Sequence, residues 1–462
     1  MIRRTNWILG STFASCLILA GAAGAGPAHA LEIKRMTLTN GATLLVSENH
    51  QLPMVTVEIA LDAGSRRDPP GKAGLAMLTA RCVNQGTREL SAPAFDEKVD
   101  FMGSSLFVSA EHDYATAGFT ALKKYEKETL GLLAGILSNP GLRDADIDRK
   151  RAEQVAGIKA AEEEPGYIAA VSFAKSLYGD TPYGYPTTGT SDSVAKLSSD
   201  DVRNFYRDYY RLGSAVVAVT GDLDASEVKA LLEKMLPGPG GAVAAQSQPT
   251  VPALAPGLDI KLIDRNVQQA NVMLGFVGIA RSNPDYYKLQ VMNYILGGGV
   301  FASRLMKTVR SKAGLAYHVS SIFDARKFPG PFAVVLQTKN QSANEAIKMV
   351  LQQMRQMQES PVSDPELDNA RKFLVGSFPL KIDRQEQIAG FMLEVELYGL
   401  GLDYAEHYPR LIESVTKQDV LEVARKYLHP DDALLVVVAN QHDAAINTAM
   451  LNHTAAGAGG GK

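Results

Sequence analysis

The chain has 462 residues, with 47 Lys and Arg against 50 Asp and Glu. That length allows two or more domains, each with a core of its own. The formal net charge of −3, with no long basic run, gives a nucleic-acid role little electrostatic support. An apolar share of 46% beside a charged share of 21% is that of an ordinary globular chain.

Residues 1–30 are of different material. Arg3 and Arg4 form a positive start, Trp7 to about Ala25 is apolar and rich in Gly and Ala, and Ala28-His29-Ala30 fits the small-x-small cleavage pattern of an export signal. The expected product is periplasmic. Cleavage after Ala30 removes both arginines and moves the formal charge from −3 to −5. An uncleaved anchor is the competing reading, since the apolar stretch is nearly long enough to span. Lipidation at Cys16 is another, although Phe13 stands where that signal wants a small aliphatic residue. No later segment reads as a membrane helix, so no span is expected after signal cleavage. Cys82 is then the single remaining thiol, which excludes an internal disulfide and a cysteine metal cluster.

Along the mature chain, Val55–Leu61 reads as a strand, and about 128–138 and 145–161 read as helices. Glu162-Glu163-Glu164 is a solvated turn before Pro165. Residues 237–257 (PGPGGAVAAQSQPTVPALAPG) carry no charge and are dense in Pro, Gly and Ala, which reads as an exposed linker. After it come a strand at Asn271–Val277 and a helix over about 285–296, opened by Asn283-Pro284 and stopped by three glycines. The linker divides two like halves. Asp201-Val202, Tyr209 and the apolar run 215–219 recur as Asp419-Val420, Tyr427 and 433–437, at a constant offset of 218 residues (419 − 201 and 427 − 209). A register kept across helix, loop and strand indicates duplication. The expected class is α+β, two homologous layers of helices on sheets. The expected domains are 31–236 and 258–449, with a flexible tail over 450–462.

Residues 74–87 read GLAMLTARCVNQGT. The frame Gly74-Leu75-Ala76 … Gly86-Thr87 resembles that around the catalytic helix of the pitrilysin/insulinase metallopeptidases. There the same window holds H-x-x-E-H, two zinc-binding histidines one turn apart and a glutamate base. Aligned on that frame, Met77 and Arg81 occupy the histidine positions and Ala80 the glutamate position. A thioether is a poor zinc ligand, a guanidinium cannot deprotonate, and a methyl group takes no proton. Gly157 falls at about the position of the family's third ligand, a glutamate, and a neighbouring Glu153 or Glu162 without imidazoles would not hold zinc. No metal is expected in this chain. The remaining histidines, His50, His112, His318, His407, His429, His442 and His453, include no i, i+3 or i, i+4 pair. Glu111-His112-Asp113 spells a triad in print, but neighbours on a strand face opposite ways. No G-x-S-x-G elbow is present.

Residues 297–317 (GGGVFASRLMKTVRSKAGLAY) again resemble the family: a glycine-rich turn, Ser303-Arg304-Leu305, then Arg310 and Tyr317 around Gly314-Leu315-Ala316. By themselves the two residues also fit structural roles, a cation near a helix C-terminus and an aromatic strand residue. The family frame assigns them to the substrate backbone: a fork of donors for peptide carbonyls and a phenol for an oxyanion. Asn139-Pro140, the run Tyr178–Thr190 and Gly221-Asp222 extend the resemblance over nearly the whole mature chain. It implies an insulinase/mitochondrial-processing-peptidase-like fold and a non-catalytic, substrate-binding subunit of a heterodimeric periplasmic zinc peptidase acting on unfolded peptides. Zinc would sit in a catalytic H-x-x-E-H partner. The alternatives are a scaffold that keeps the fold for assembly alone and an independent enzyme with an unrecognised site.

Overall fold

The computed structural model describes residues 31–236, 241–253 and 256–456; residues 1–30, where the export signal is expected, residues 237–240 and 254–255, and the last six residues lie outside it. β-Rich runs in each half assemble one sheet. The first contains β1 (Lys34–Thr37), β2 (Thr43–Glu48), β3 (Met54–Leu61), β4 (Ser105–Ala110), β5 (Ala115–Leu122) and β6 (Val216–Gly221), in the order β1-β2-β6-β3-β5-β4. The second contains β7 (Asp259–Asp264), β8 (Gln269–Val277), β9 (Ala316–Phe323), β10 (Pro331–Lys339) and β11 (Leu434–Ala439), in the order β7-β11-β8-β10-β9. Without β1 the two orders superimpose. Each has one parallel pair, β2 with β6 and β7 with β11, in an otherwise antiparallel sheet.

The helices follow the same duplication. The first half carries α1 (Leu75–Val83), α2 (Ala92–Phe101), α3 (Glu126–Ser138), α4 (Asp144–Ala161), α5 (Pro165–Tyr178), α6 (Ser191–Ala195), α7 (Ser199–Tyr209) and α8 (Ala225–Met235). The second carries α9 (Tyr286–Asn293), α10 (Ala343–Glu359), α11 (Asp364–Ser377), α12 (Gln385–Leu397), α13 (Tyr404–Glu413), α14 (Lys417–Tyr427), α15 (Gln441–Ala444) and α16 (Thr448–Ala456). The 218-residue offset holds to the atom pattern of the caps. α7 opens on a capping box between Ser198 and Asp201, and α14 on one between Thr416 and Asp419. Each box satisfies two orphan amide donors, and each helix leads into a wholly buried strand, β6 or β11.

One face of the first sheet packs on its own helices: Leu44, Val46, Val57, Ile59, Val217 and Val219 join the core formed with α1, α3 and α7. The opposite face is covered by α12, which belongs to the other half. The Thr56 hydroxyl donates to Gln385 Oε1 at 3.4 Å, Thr120 donates to Glu386 at 3.0 Å, and Arg35 clamps Glu396 at 2.8 Å. The exchange is reciprocal. α5 of the first half lies on the second sheet, where Phe173, Leu177 and Tyr178 form one core with Ala333, Leu434 and Val436. Tyr178 donates its phenol to the Pro329 carbonyl at 3.1 Å. The described residues from Glu32 onward therefore form one packed unit.

Three local features differ from the reading of the sequence. The helical run ending in glycines stops being α-helical at Asn293 and continues as a π-turn, Tyr294–Gly298. A Cβ at Gly297 would lie 2.5 Å from the Ser321 amide, so glycine lets this turn press against β9. The linker is pinned to the body: Arg67 donates to the Ala244 carbonyl at 2.8 Å, and Gln246 exchanges hydrogen bonds with Arg66 at 2.6 and 2.8 Å. Finally, α16 runs into the segment assigned to the tail and buries Leu451. Glu162, Glu163 and Glu164 form the exposed turn before α5.

The crossed packing of α12 places an acid where water is scarce. Burial on β3, with the Glu386 carboxylate adding repulsion, pushes Glu58 up to about 7. Its unfolded value is near the ordinary 4.5. Proton binding by the folded form thus contributes stability that is fully present below about 4.5 and lost as pH rises through about 7. We expect Glu58→Gln to raise the melting temperature at pH 8 and to change it little at pH 5. Equal shifts at both pH values would contradict this account.

Candidate functional site: a helix without ligands and an edge-strand lip

α1 starts where it does because Asp68 and Gly74 make it. The amides of Gly74 and Ala76 donate to the Asp68 carboxyl at 2.8 and 2.7 Å. Gly74 has φ +92°, and a Cβ there would meet the Thr188 carbonyl at 2.5 Å. From α4, Gln154 ties the same turn down, donating to Gly74 O at 3.1 Å and Thr188 O at 2.8 Å. Asp68 and Gln154 were not singled out in the sequence; an Asp six residues before a helix-starting glycine was the available signal for the first.

Met77 and Arg81, four residues apart, share the partly exposed face of α1, and Ala80 is fully buried in the core. The i, i+4 geometry of a histidine pair is therefore kept while its chemistry is gone. Gly157 lies on the exposed side of α4, and a Cβ there would face open space. Of the nearby acids, Glu153 is paired with Arg149 and Lys150, and Glu162 accepts from Ser191. Among the described residues no three His, Cys, Asp or Glu side chains gather to hold a metal ion. A thioether, a methyl group, a guanidinium and a hydrogen at these four positions do not fit zinc.

Glu111-His112-Asp113 occupies the turn of the β4–β5 hairpin instead of a strand. Its residues serve the contact between halves. Asp113 is buried and accepts from the Tyr183 phenol and from the Lys327 amide, the latter at 2.8 Å. Burial, with the Arg326 charge nearby, pushes His112 down to about 3, so its ring is neutral and packs edge-on against Tyr183 at 5.5 Å. A base so weak does not activate Ser65, although its hydroxyl is 3.2 Å away.

In the second half, Arg310 belongs to a π-helical stretch, Met306–Lys312, and its guanidinium lies 5.4 Å from the Phe301 ring centre. The start of this segment is held by Arg304, which grips Glu366 of α11 in two hydrogen bonds of 2.7 and 3.0 Å. Burial raises the Glu366 carboxyl, but Arg304 and the Ser363 amide outweigh it and hold the group down to about 2. Tyr317 sits in β9, the edge strand of its sheet. The register with β10 passes from Gln337–His318 to Thr338–Ala316, so Tyr317 is the unpaired residue of a bulge. Bulges re-aim a side chain at a sheet edge. Tyr317 is 52% exposed. Neither the Arg310 guanidinium nor the Tyr317 phenol has a hydrogen-bond or ion-pair partner among the described residues, and no such contact joins either to the α1 positions.

These observations define a class: a duplicated peptidase-like α+β protein whose metal-site helix holds no ligands. Residues 43–191 match the insulinase family (peptidase family M16) and residues 196–374 match the peptidase M16 inactive domain. The chain belongs to the M16 family. It is 27% identical to the "non-peptidase homolog YmxG" of Helicobacter pylori, over 86% of this chain and 92% of that one. A Streptomyces coelicolor "uncharacterized zinc protease" is also 27% identical, over 88% and 89%. Among solved structures, a peptidase M16 inactive domain from Pseudomonas fluorescens superimposes with a TM-score of 0.83 at 29% identity, over 88% of this chain and 98% of that one.

The purified mature chain is expected to retain far less than one equivalent of zinc after dialysis. Near one equivalent by metal analysis would overturn the reading of α1. Restoring Met77→His, Ala80→Glu and Arg81→His together should still give no chelator-sensitive hydrolysis, because Gly157 offers no carboxylate as third ligand. Ala80→Glu alone should cost on the order of 3 kcal/mol, since it drives a carboxylate into an apolar core.

Proposed function

We infer that this chain is the non-catalytic, substrate-binding subunit of a heterodimeric periplasmic zinc peptidase that acts on unfolded peptides. The observation that carries the reading is the asymmetry between the halves. The α1 positions are filled by Met77, Ala80 and Arg81, whereas the side chains of Arg310, before the edge strand, and Tyr317, within it, have no hydrogen-bond or ion-pair partner among the described residues. A pure scaffold has no use for an uncompensated guanidinium and a bulge-presented phenol. An edge strand with an unpaired outer side is suited to take a peptide as an added strand, with main-chain hydrogen bonds giving broad specificity. Arg310 then donates to peptide carbonyls and Tyr317 donates to the oxyanion that develops at the scissile bond. The hydrolytic group, with its zinc, is supplied by an H-x-x-E-H partner of the same fold. The name "non-peptidase homolog" borne by the Helicobacter relative supports the first part of this reading. Residues 1–30 support the compartment.

The test is steady-state kinetics of the reconstituted pair. Tyr317→Phe removes one hydroxyl and keeps the ring, so loss of an oxyanion donor should lower kcat by about a hundredfold to a thousandfold. Arg310→Ala should mainly raise KM, because it removes a ground-state contact. Melting temperature and co-elution with the partner should be unchanged in both. Unaltered kinetics in both variants would return the pair to packing roles and favour a scaffold.

A further inference from the structure

Four arginines converge on one pocket of the first half that plays no part in the proposed peptide site. Arg203 and Arg207 lie on α7 and Arg211 follows it, at steps of four residues; Arg88 reaches the same pocket from the loop after α1. The pocket has a volume of about 420 Å³, within the roughly 300–1,000 Å³ range of small-molecule sites. No carboxylate is among its lining side chains. The remaining wall sets Leu137, Pro140 and Leu142, at and after the end of α3, beside Ser138, Asn139, Tyr206 and Tyr210.

Two of the four charges are paired by their surroundings and two are not. Arg203 pairs with Asp144 at 2.6 Å and with Asp200 at 3.4 Å, and Arg207 with Asp208 at 2.9 Å, all three acids lying outside the pocket wall. Arg88 and Arg211 have no ion-pair partner among the described residues. Glu89, adjacent in sequence, feels the Arg88 charge but forms no ion pair with it, and its carboxylate accepts from Thr87 and Asn139. The C-terminus of α7 offers about half a negative charge, which compensates at most one of the two unpaired cations. Like charges held in one concavity repel each other and concentrate counter-ions. In a chain whose net charge is −3, such a cluster is a local reversal of sign.

We propose that this pocket binds a phosphate-bearing anion, with Arg88 and Arg211 as its principal ligands. Guanidinium forks match phosphate oxygens in pairs. The apolar side chains of Leu137, Pro140 and Leu142 take the non-ionic remainder of the molecule. The anion is either a soluble phosphorylated compound or the headgroup of an anionic phospholipid.

The experiment uses the mature chain with two probes, pyrophosphate in calorimetric titration and phosphatidylglycerol vesicles in co-sedimentation, with phosphatidylcholine vesicles as the neutral control. Arg88→Gln/Arg211→Gln should weaken binding at least tenfold, while Lys124→Gln, at a distant lysine patch, should leave it unchanged. Pyrophosphate binding without vesicle binding assigns the soluble compound. Vesicle binding that is lost in the double variant assigns the headgroup. Binding of neither probe, or binding equal in the wild type and the double variant, overturns the proposal. Melting curves check that the double variant is folded, and Arg211→Gln alone carries the comparison if it is not.

Discussion

The structure depends on a reciprocal loan of helices. Each sheet buries one face on helices of its own half and needs a cover for the other. α12 covers the first sheet and α5 covers the second. A sheet with one apolar face open to water would lose about 25 cal/mol for each Å² left uncovered. Neither half is therefore expected to fold well without the other, and what is placed on one half has its position set by the other. The arrangement also explains the density of aromatic and charged contacts where α5 and the following loop meet the second half. Tyr178 and Tyr183 meet edge to face at 5.8 Å, and Asp113 accepts bonds from both sides of the boundary.

From that packing follows the division of labour proposed for the molecule. The first half retains the α1 frame, including the Asp68 cap and the Gly74 start, because the helix is needed as core. Leu75, Leu78, Ala80 and Val83 fill space beneath the first sheet. Of the positions that would carry the metal chemistry on α1, Met77 and Arg81 stand on its partly exposed face, whereas Ala80 is part of the core. The second half keeps a different investment. Arg304 anchors its segment by a two-bond grip on Glu366, Arg310 stacks on an exposed Phe301, and a bulge turns Tyr317 outward. A mobile loop with no function has no need of so firm a footing.

Much of this was legible in the residues. The capping boxes of α7 and α14 and the continuous apolar runs of β6 and β11 are strong local signals, and their constant offset revealed the duplication. The α1 positions could be read from a frame of small residues at fixed spacing. The helix exchange could not, because periodicity tells which face of α5 or α12 is apolar but not which sheet it covers. The π-turn after Asn293 depends on the close approach of Gly297 to Ser321, a contact between segments far apart in sequence. Likewise the bulge at Tyr317 belongs to the pairing of two strands and has no signature in one of them. The hairpin turn holding His112 and Asp113 was hidden by the strand-like residues around it. The pinning of the linker needed Arg66 and Arg67, whose side chains gave no sign of their direction.

The central claim is that this chain contributes binding surface and no hydrolytic centre. It is tested most directly by measuring cleavage of an unstructured peptide by the chain alone, by its co-expressed H-x-x-E-H partner alone, and by the two together at equal concentration. The account predicts no turnover by this chain, little by the partner, and chelator-sensitive turnover by the mixture, which should elute near twice the subunit mass. Metal-dependent cleavage by this chain alone, or a partner as fast alone as in the mixture, would contradict it.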